Sequence, residues 1–516
     1  LWGSNARETH PIFFHHVLRA LKNGARLYVV DPRVTSTARF AKRHIPVKVG
    51  GDIALANAVA RVILDERLEN RPFIQRATAD FDAYERSLEG YTPEEARRFT
   101  GVEPTLVREM ALDFARADRA MICWTLGITE HHHAVENVWA LINLALLCGH
   151  VGRYGAGLNP LRGQNNVQGG GDMGALPHKL PGFQDVEDPD ARGNYERLWG
   201  ATIPPEKGWT LTEMFRAMER EELRALWVIG ENPAQSEADA GHVRALLSRL
   251  DHLVVQDLFL TKTAELADVV LPACAGFAES EGTVTNSERR VQRVRRALAP
   301  PGEARDDLWI VGEMSKRLGR DFGQPTAEQL WDEMRTHSPL HRGMSYARLE
   351  ALGGIQWPCP NAESLGASFL HGRLWEEPVR GPRAPFHCVA HTEPAEALCE
   401  EFPLRLTTGR RLSEYNTGVQ SGSISSPLVR DEALELSPAD FAALGLRVGD
   451  RVRVRSRRGS VTAPVRVDPG LPKGLVFLSL HQPDRVDTNL LTIEATDPRA
   501  GTAEFKAAAV AVERCE

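Results

Sequence analysis

Residues 3–46 and 230–272 of this 516-residue chain follow one plan. Gly3-Ser4-Asn5 opens the first copy and Gly230-Glu231-Asn232 the second. Each turn leads into an amphipathic stretch, His10–Asn23 and Ala238–Arg249, whose apolar spacing predicts a helix. A short apolar strand follows, Leu27 to Asp31 against Leu253 to Asp257. Beyond it Asp31, Thr35, Thr37 and Ala38 fall without gaps on Asp257, Thr261, Thr263 and Ala264, and Ala41 and Pro46 match Ala267 and Pro272. Agreement in register at so many positions points to duplication. Each copy reads as strand, glycine turn, helix, strand and acidic residue, which is half of a nucleotide-binding α/β unit. The glycine lets backbone N–H groups approach a phosphate at a helix N-terminus, and the acid can hold ribose hydroxyls. A lone Gly-x-Asn is usually only a turn. Two in register predict a paired nucleotide site; the alternative is two duplicated domains of which one, or neither, still binds.

The second copy has its first strand, Leu226 to Ile229, ahead of the glycine, whereas the first has only Leu1-Trp2. The sequence is therefore expected to open inside a strand, with more chain upstream. Residues 1–516 alone are expected to expose an unpaired sheet edge and to aggregate. The length calls for three or four domains. They are placed at 1–165 and 166–275 for the two dinucleotide-binding α/β domains, 276–400 for the remaining core and linker, and 401–516 for a β-barrel. The barrel rests on Leu404–Thr408, the alternating Arg451–Arg455, Ser460–Val467 and Leu475–Leu480, short strands parted by turns. The alternating arginines are expected on a solvated strand face.

A formal charge of 62 − 69 = −7 argues against a nucleic-acid partner. The best apolar run, Val138–Cys148, falls short of the ~20 residues that cross a bilayer. Seven scattered cysteines without C-x-x-C predict buried free thiols and a cytoplasmic, reducing setting. They also exclude a complete iron–sulfur ligand set in this stretch. His131-His132-His133 cannot face one metal from a helix or strand, so a cleft-lining or solvated face is expected there. The glycine- and amide-rich segment Pro160–Gly174 is predicted to be an ordered loop with dense hydrogen-bonding capacity.

These residues resemble the molybdopterin oxidoreductase family, whose members hold Mo or W between two pyranopterin guanine dinucleotides. Shared features are Gly3-Ser4-Asn5, Asp31-Pro32-Arg33, Gly50-Gly51-Asp52, Gln256-Asp257, Glu281-Gly282-Thr283 with Asn286, Thr408-Gly409-Arg410, Tyr415-Asn416-Thr417-Gly418 and Glu504-Phe505-Lys506. Within the family, Leu161-Arg162-Gly163-Gln164-Asn165-Asn166-Val167-Gln168-Gly169 is similar to the formate dehydrogenase form of the loop.

The resemblance implies an α/β fold of two duplicated nucleotide-binding units facing one cleft, with a C-terminal β-barrel of the double-psi type. It implies that Asn5, Thr9, Asp31, Arg33, Gly50 and Asp52 hold one nucleotide, and Gly230, Glu231, Asn232, Gln256, Asp257 and Thr261 the other. Gly127, Glu130, Gly163 and Gln164 would lie near the pterins with Thr408, Gly409, Arg410, Tyr415 and Asn416. Asn489, Phe505 and Lys506 would close the site. The chain departs from the pattern at Glu130, where glutamine is common, and at Arg411 and Glu414, where some relatives have an acid and a histidine. The metal-ligating Cys or selenocysteine and the cysteines of a 4Fe-4S cluster are implied upstream of Leu1, so residues 1–516 alone are expected not to oxidise formate.

Formate is a small planar anion, and guanidinium matches a carboxylate fork better than ammonium does. Arg162 is assigned to that role; the alternative is a loop arginine pairing a pterin phosphate. By resemblance, formate loses its hydrogen and two electrons to the metal centre, CO₂ departs, and an electron-acceptor subunit or carrier takes the electrons. The rival readings are another oxyanion oxidoreductase of the same fold and a cofactor-free scaffold subunit of a respiratory complex.

Overall fold

The computed structural model describes residues 1–418 and 431–515. It divides into two compact units, one of Leu1–Leu161, Pro233–Ala245 and Phe369–Glu516, the other of Arg162–Asn232 and Leu246–Ser368.

In the first unit, β1 (Tyr28–Val30) pairs in parallel with β2 (Arg43–Ile45), and β3 (Met121–Trp124) with β4 (Gly157–Pro160). Trp2 bridges Val30 and Trp124, parallel to both. Its N–H donates to the Cys123 carbonyl at 2.9 Å, and Gly3 N–H donates to the Val30 carbonyl at 2.9 Å. Leu1-Trp2 thus runs inside the sheet. Only Trp2 makes these bridges, so β1 and β3 are joined through a single residue at this point. A cavity of about 850 Å³ lined by Leu1, Tyr28, Val59, Phe114 and Ile122 adjoins them.

Helix α1 (Pro11–Lys22) follows the first glycine turn, and α2 (Asp52–Asp65) packs against α3 (Pro104–Arg116) and α4 (Ala134–Cys148). Helix α2 is buried nearly all round, through Ile53, Leu55, Val59, Val62 and Ile63, and so anchors this core. The apolar run at 138–148 is the body of α4, which stops at Gly149 in the left-handed conformation. No helix of the described residues is long and apolar enough to cross a membrane.

In the second unit, α5 (Val167–Asp172) occupies part of the predicted loop. Glycines allow it: Gly169 and Gly171 are buried, and α5 lies against the strand that begins at Gly282. Chain order then gives β5 (Ala225–Ile229), β6 (His252–Asp257) and β7 (Val269–Pro272), with the strands parallel in the order β7-β6-β5. Strands β8 (Gly282–Thr285), β9 (Arg290–Val294) and β10 (Ile355–Gln356) form an antiparallel sheet.

The C-terminal part of the first unit is a closed barrel of β11 (Leu404–Gly409), β12 (Leu434–Leu436), β13 (Arg451–Arg455), β14 (Ser460–Val467), β15 (Leu475–Ser479) and β18 (Ala508–Arg514), in the order β11-β15-β12-β14-β13-β18. A separate ribbon pairs β16 (Ile493–Thr496) with β17 (Ala503–Glu504). On β13 the valines 452 and 454 are buried while Arg451 and Arg453 face solvent, as the period-two pattern requires. Cys123, Cys148, Cys274 and Cys359 are buried free thiols as expected. Cys388 and Cys399 are instead exposed and Cys515 half-exposed, because they lie in coil segments or at a strand end.

Candidate functional site

The two copies agree down to single hydrogen bonds. Gly3 and Gly230 both turn with positive φ, 56° and 63°. After each turn an asparagine reaches across to the loop beyond the next strand. Asn5 Oδ1 accepts from Thr37 Oγ1 at 2.8 Å and from Thr37 N at 3.3 Å; Asn232 Oδ1 accepts from Thr263 Oγ1 at 2.8 Å and from Thr263 N at 3.1 Å. Thr35 Oγ1 accepts from Ala38 N, and Thr261 Oγ1 from Ala264 N, both at 3.2 Å. Asp31 and Asp257 stand at equivalent strand ends, and each carboxylate accepts a backbone N–H just after it, from Arg33 and Leu258. The side-chain oxygens of Asn5 and Asn232 therefore hold the turn to the threonine loop. Gly230 and Glu231 are exposed in their turn, whereas Gln256 is fully buried and its side-chain amide donates to Asp307. Burial raises the pKa of Asp257.

The first unit gathers most of the residues expected around one nucleotide and the pterin. Gly3 and Gly127 touch backbone to backbone: a Cβ on Gly3 would stand 2.7 Å from the Gly127 carbonyl carbon, so neither position admits a side chain. Asp52 opens α2 and accepts from the Trp2 indole at 2.7 Å. Burial raises the pKa of Asp31 against the pull of Arg33, His44 and Lys506, and raises that of Asp52 against the pull of His131. Lys506 Nζ lies 2.7 Å from Glu130 Oε2 and donates to Thr408 O at 3.2 Å. Thr408 Oγ1 donates to Phe505 O at 3.0 Å. The Arg33 guanidinium covers the Phe477 ring at 3.6 Å. A Cβ on Gly409 would lie 2.9 Å from that same ring. Arg410 Nη1 donates to Thr9 O at 3.4 Å, and its guanidinium lies 5.0 Å from the Tyr415 ring centre. Asn416 has φ 44° and its carbonyl meets His481 Nδ1 at 2.6 Å. Gly50 is left-handed, against Pro394. Asn489 donates to the carbonyls of Gln235 at 2.9 Å and Ser236 at 3.1 Å. Arg411 and Glu414 are committed inside the barrel, to Glu435 and Gln482.

One group in this cluster escaped sequence reasoning. Glu504 is fully buried and meets His131 Nδ1 at 3.0 Å and His132 Nδ1 at 3.3 Å, while His132 N donates to it at 3.2 Å. His131 and His133 are buried, so the expected solvated or cleft-lining histidine face is corrected: a carboxylate from the far end of the chain draws it inward. Burial would raise the Glu504 pKa, but the histidines outweigh it and hold the group well below the carboxylate range. Burial would lower His131, and Glu504 and Asp52 more than reverse it. His133 is pushed down to about 3 by burial and its neighbouring histidines. Among the described residues no His, Cys, Asp or Glu group could hold a metal ion.

In the second unit Arg162 is exposed, with its main chain clamped: its N–H donates to Ser287 Oγ at 3.0 Å and its carbonyl accepts from the same hydroxyl at 3.3 Å. Asn166 Oδ1 accepts from Thr285 N at 2.9 Å. Space is open where a Cβ on Gly163 would sit. Gln164 is exposed beside it.

These groups fit a pterin dinucleotide: side-chain-free turns for close approach, the cations Arg33, Arg410 and Lys506 for phosphate or pterin oxygens, and the buried Asp31 and half-buried Asp257, which would gain from ribose or base donors. Residues 1–317 match the family model described as Molybdopterin oxidoreductase. The chain belongs to the molybdopterin oxidoreductase family. Residues 404–509 match its Molydopterin dinucleotide binding domain. The cofactor is accordingly the bis-molybdopterin guanine dinucleotide with Mo or W. The F420-dependent formate dehydrogenase subunit alpha of Methanocaldococcus jannaschii is 40% identical over 99% of this chain and 76% of its own length. Formate dehydrogenase H of Escherichia coli is 36% identical over 99% and 72%. The assimilatory nitrate reductase catalytic subunit of Bacillus subtilis is 33% identical over 99% and 73%. Acetylene hydratase from Pelobacter acetylenicus shares the fold, with TM-score 0.76 and 19% identity over all of this chain and 77% of the other.

Proposed function

We propose that the chain is the catalytic subunit of a formate dehydrogenase, oxidising formate to CO₂, a proton and two electrons. The observation that carries the reading is the Arg162 loop. A guanidinium offers two parallel N–H donors to a planar carboxylate. The Ser287 clamp on both sides of the Arg162 peptide fixes the base of that side chain. The bound cofactor supplies the two-electron acceptor. Arg162 neutralises the substrate's charge and fixes its plane, so that its C–H bond keeps one direction. Glu130, Lys506 and Thr408 hold hydrogen-bonding atoms at a fixed place on the first unit for the pterin. In this reading the electrons pass on to a partner subunit or carrier.

Kinship to a nitrate reductase makes that reaction the rival. The test uses the full gene product from a host that makes the cofactor, with Mo and W measured by mass spectrometry. Formate-dependent viologen reduction with matching CO₂ release is expected. Fully metallated protein that turns over nitrate and leaves formate untouched overturns the proposal.

A further inference from the structure

A buried acid braces the Arg162 loop from behind. Asp172 closes α5 and is 2% exposed. Its Oδ1 accepts from Gln168 Nε2 at 2.8 Å, and Oδ2 accepts from the Trp357 indole at 3.0 Å. The fully buried His341 brings Nε2 to 3.6 Å from Oδ2, and the other ring nitrogen of His341 lies 2.8 Å from Ser338 Oγ. The Asp172 carbonyl also accepts from Gly182 N at 2.6 Å. A carboxylate taken out of water is costly unless donors surround it, and here they come from separate segments of the chain. The post cannot shift without stripping one of them.

The stretch it closes needs such a post. Gly163, Gly169, Gly170 and Gly171 contribute no side chain to pack, and glycine gives the backbone its widest freedom. Order must therefore be imposed from outside. Ser287 holds the Arg162 end, Thr285 N holds Asn166, and Asp172 holds the far end through Gln168. Desolvation by the surrounding loop lowers the Arg162 pKa, and the Asp172 charge opposes that effect.

We propose that Asp172 is a positioning residue for Arg162, bracing α5 against Trp357 so that the loop presents the guanidinium in one orientation to a small carboxylate. The orientation it serves rests on the formate reading above.

The test compares Asp172→Ala, Asp172→Asn and Trp357→Phe. Asparagine can still accept from Trp357 and can donate to Gln168, whose amide need only flip. Alanine removes both contacts, and Trp357→Phe removes one donor while keeping the ring's bulk. Amide hydrogen exchange is read by mass spectrometry across 161–173 and, as a reference, across 451–467. Steady-state kcat and KM for formate are read at matched cofactor content. Asp172→Ala should speed exchange in 161–173 about tenfold or more with the reference unchanged, and should lower kcat by roughly tenfold with less effect on KM, since orientation acts in the transition state. Asp172→Asn should restore both; Trp357→Phe should fall between, and carries the test if the alanine variant does not fold. Unchanged exchange in both Asp172→Ala and Trp357→Phe overturns the proposal, as does faster exchange with kcat intact. A protein whose loop loosens as expected but which never oxidises formate rejects the formate reading and leaves the brace standing.

Discussion

Glu504 Oε1 stands 3.0 Å from His131 Nδ1, joining the end of β17 to the turn before α4 inside a pocket closed to solvent. Removing one member of a buried pair leaves the other uncompensated, at about 3–5 kcal/mol. Glu504→Leu should therefore cost about that much stability, and Glu504→Gln less, because it keeps an acceptor.

The pH dependence of that difference has a definite sign. Glu504 is held below its ordinary 4.5, so its contribution is complete above 4.5 and is lost as pH falls through the folded-state value. His131 is held above its ordinary 6.5, so its contribution is complete below 6.5 and is lost as pH rises through the folded-state value. The advantage of the natural protein over Glu504→Gln should thus form a plateau between 4.5 and 6.5 and shrink on either side. Denaturation midpoints measured across pH would show it; a difference that grows steadily above 6.5 would remove the pair from the account.

The duplication makes a paired prediction. Asn5→Ala and Asn232→Ala each strip the acceptor from a fully buried threonine, Thr37 or Thr263. Each should destabilise its own unit by about 1–3 kcal/mol, with the aspartate variants milder. Exchange protection near residues 35–40 should fall only in the first variant and near 261–266 only in the second. Equal effects at both places from either substitution would contradict two independent copies of one device.

The copies were legible in the sequence because matched register survives translation into structure: Gly3 and Gly230, and Asp31 and Asp257, hold equivalent backbone positions. The barrel was legible through the alternation of Arg451–Arg455, since a period of two can satisfy only a sheet with one wet face. The Glu504 pair was not. Nothing in the spacing around three adjacent histidines announces a carboxylate near the other end of the chain. Helix α5 was hidden for a local reason: glycine argues against a helix, yet here its missing side chain is what lets the turn lie against β8. That the oxygens of Asn5 and Asn232 engage a threonine loop was not legible either, because that loop lies beyond the next strand, out of reach of a local pattern.

That packing gives a sharp contrast between neighbouring glycines. A Cβ on Gly169 would stand 1.9 Å from Asn166 Oδ1, the atom that accepts from Thr285 N. Gly169→Ala must expel Asn166 and cost about 1–3 kcal/mol through the stranded N–H. At Gly170 no atom lies within 4 Å of the added carbon, so Gly170→Ala should be neutral or should stabilise α5 by up to ~1 kcal/mol. Denaturation curves of the two variants separate the outcomes; equal losses would place the loop differently.

Arg162→Lys is the most direct test of the substrate assignment. Lysine keeps the charge but gives up the two parallel donors that fix a carboxylate's plane. If Arg162 only attracted the anion, the change would raise KM and spare kcat, because attraction acts equally on substrate and transition state. If it aligns the C–H bond, kcat must fall too, since orientation is realised on the way to the transition state. Loss of one charge-assisted hydrogen bond is about 1.5–3 kcal/mol, or roughly ten- to a hundredfold in kcat/KM. The Ser287 clamp acts on the main chain and survives the substitution, so the loop should stay in place and the two side chains should start from the same point. Both parameters should suffer with metal and pterin content unchanged. Steady-state kinetics beside metal analysis decide it: near-normal turnover in a fully metallated Arg162→Lys enzyme would remove Arg162 from the substrate site.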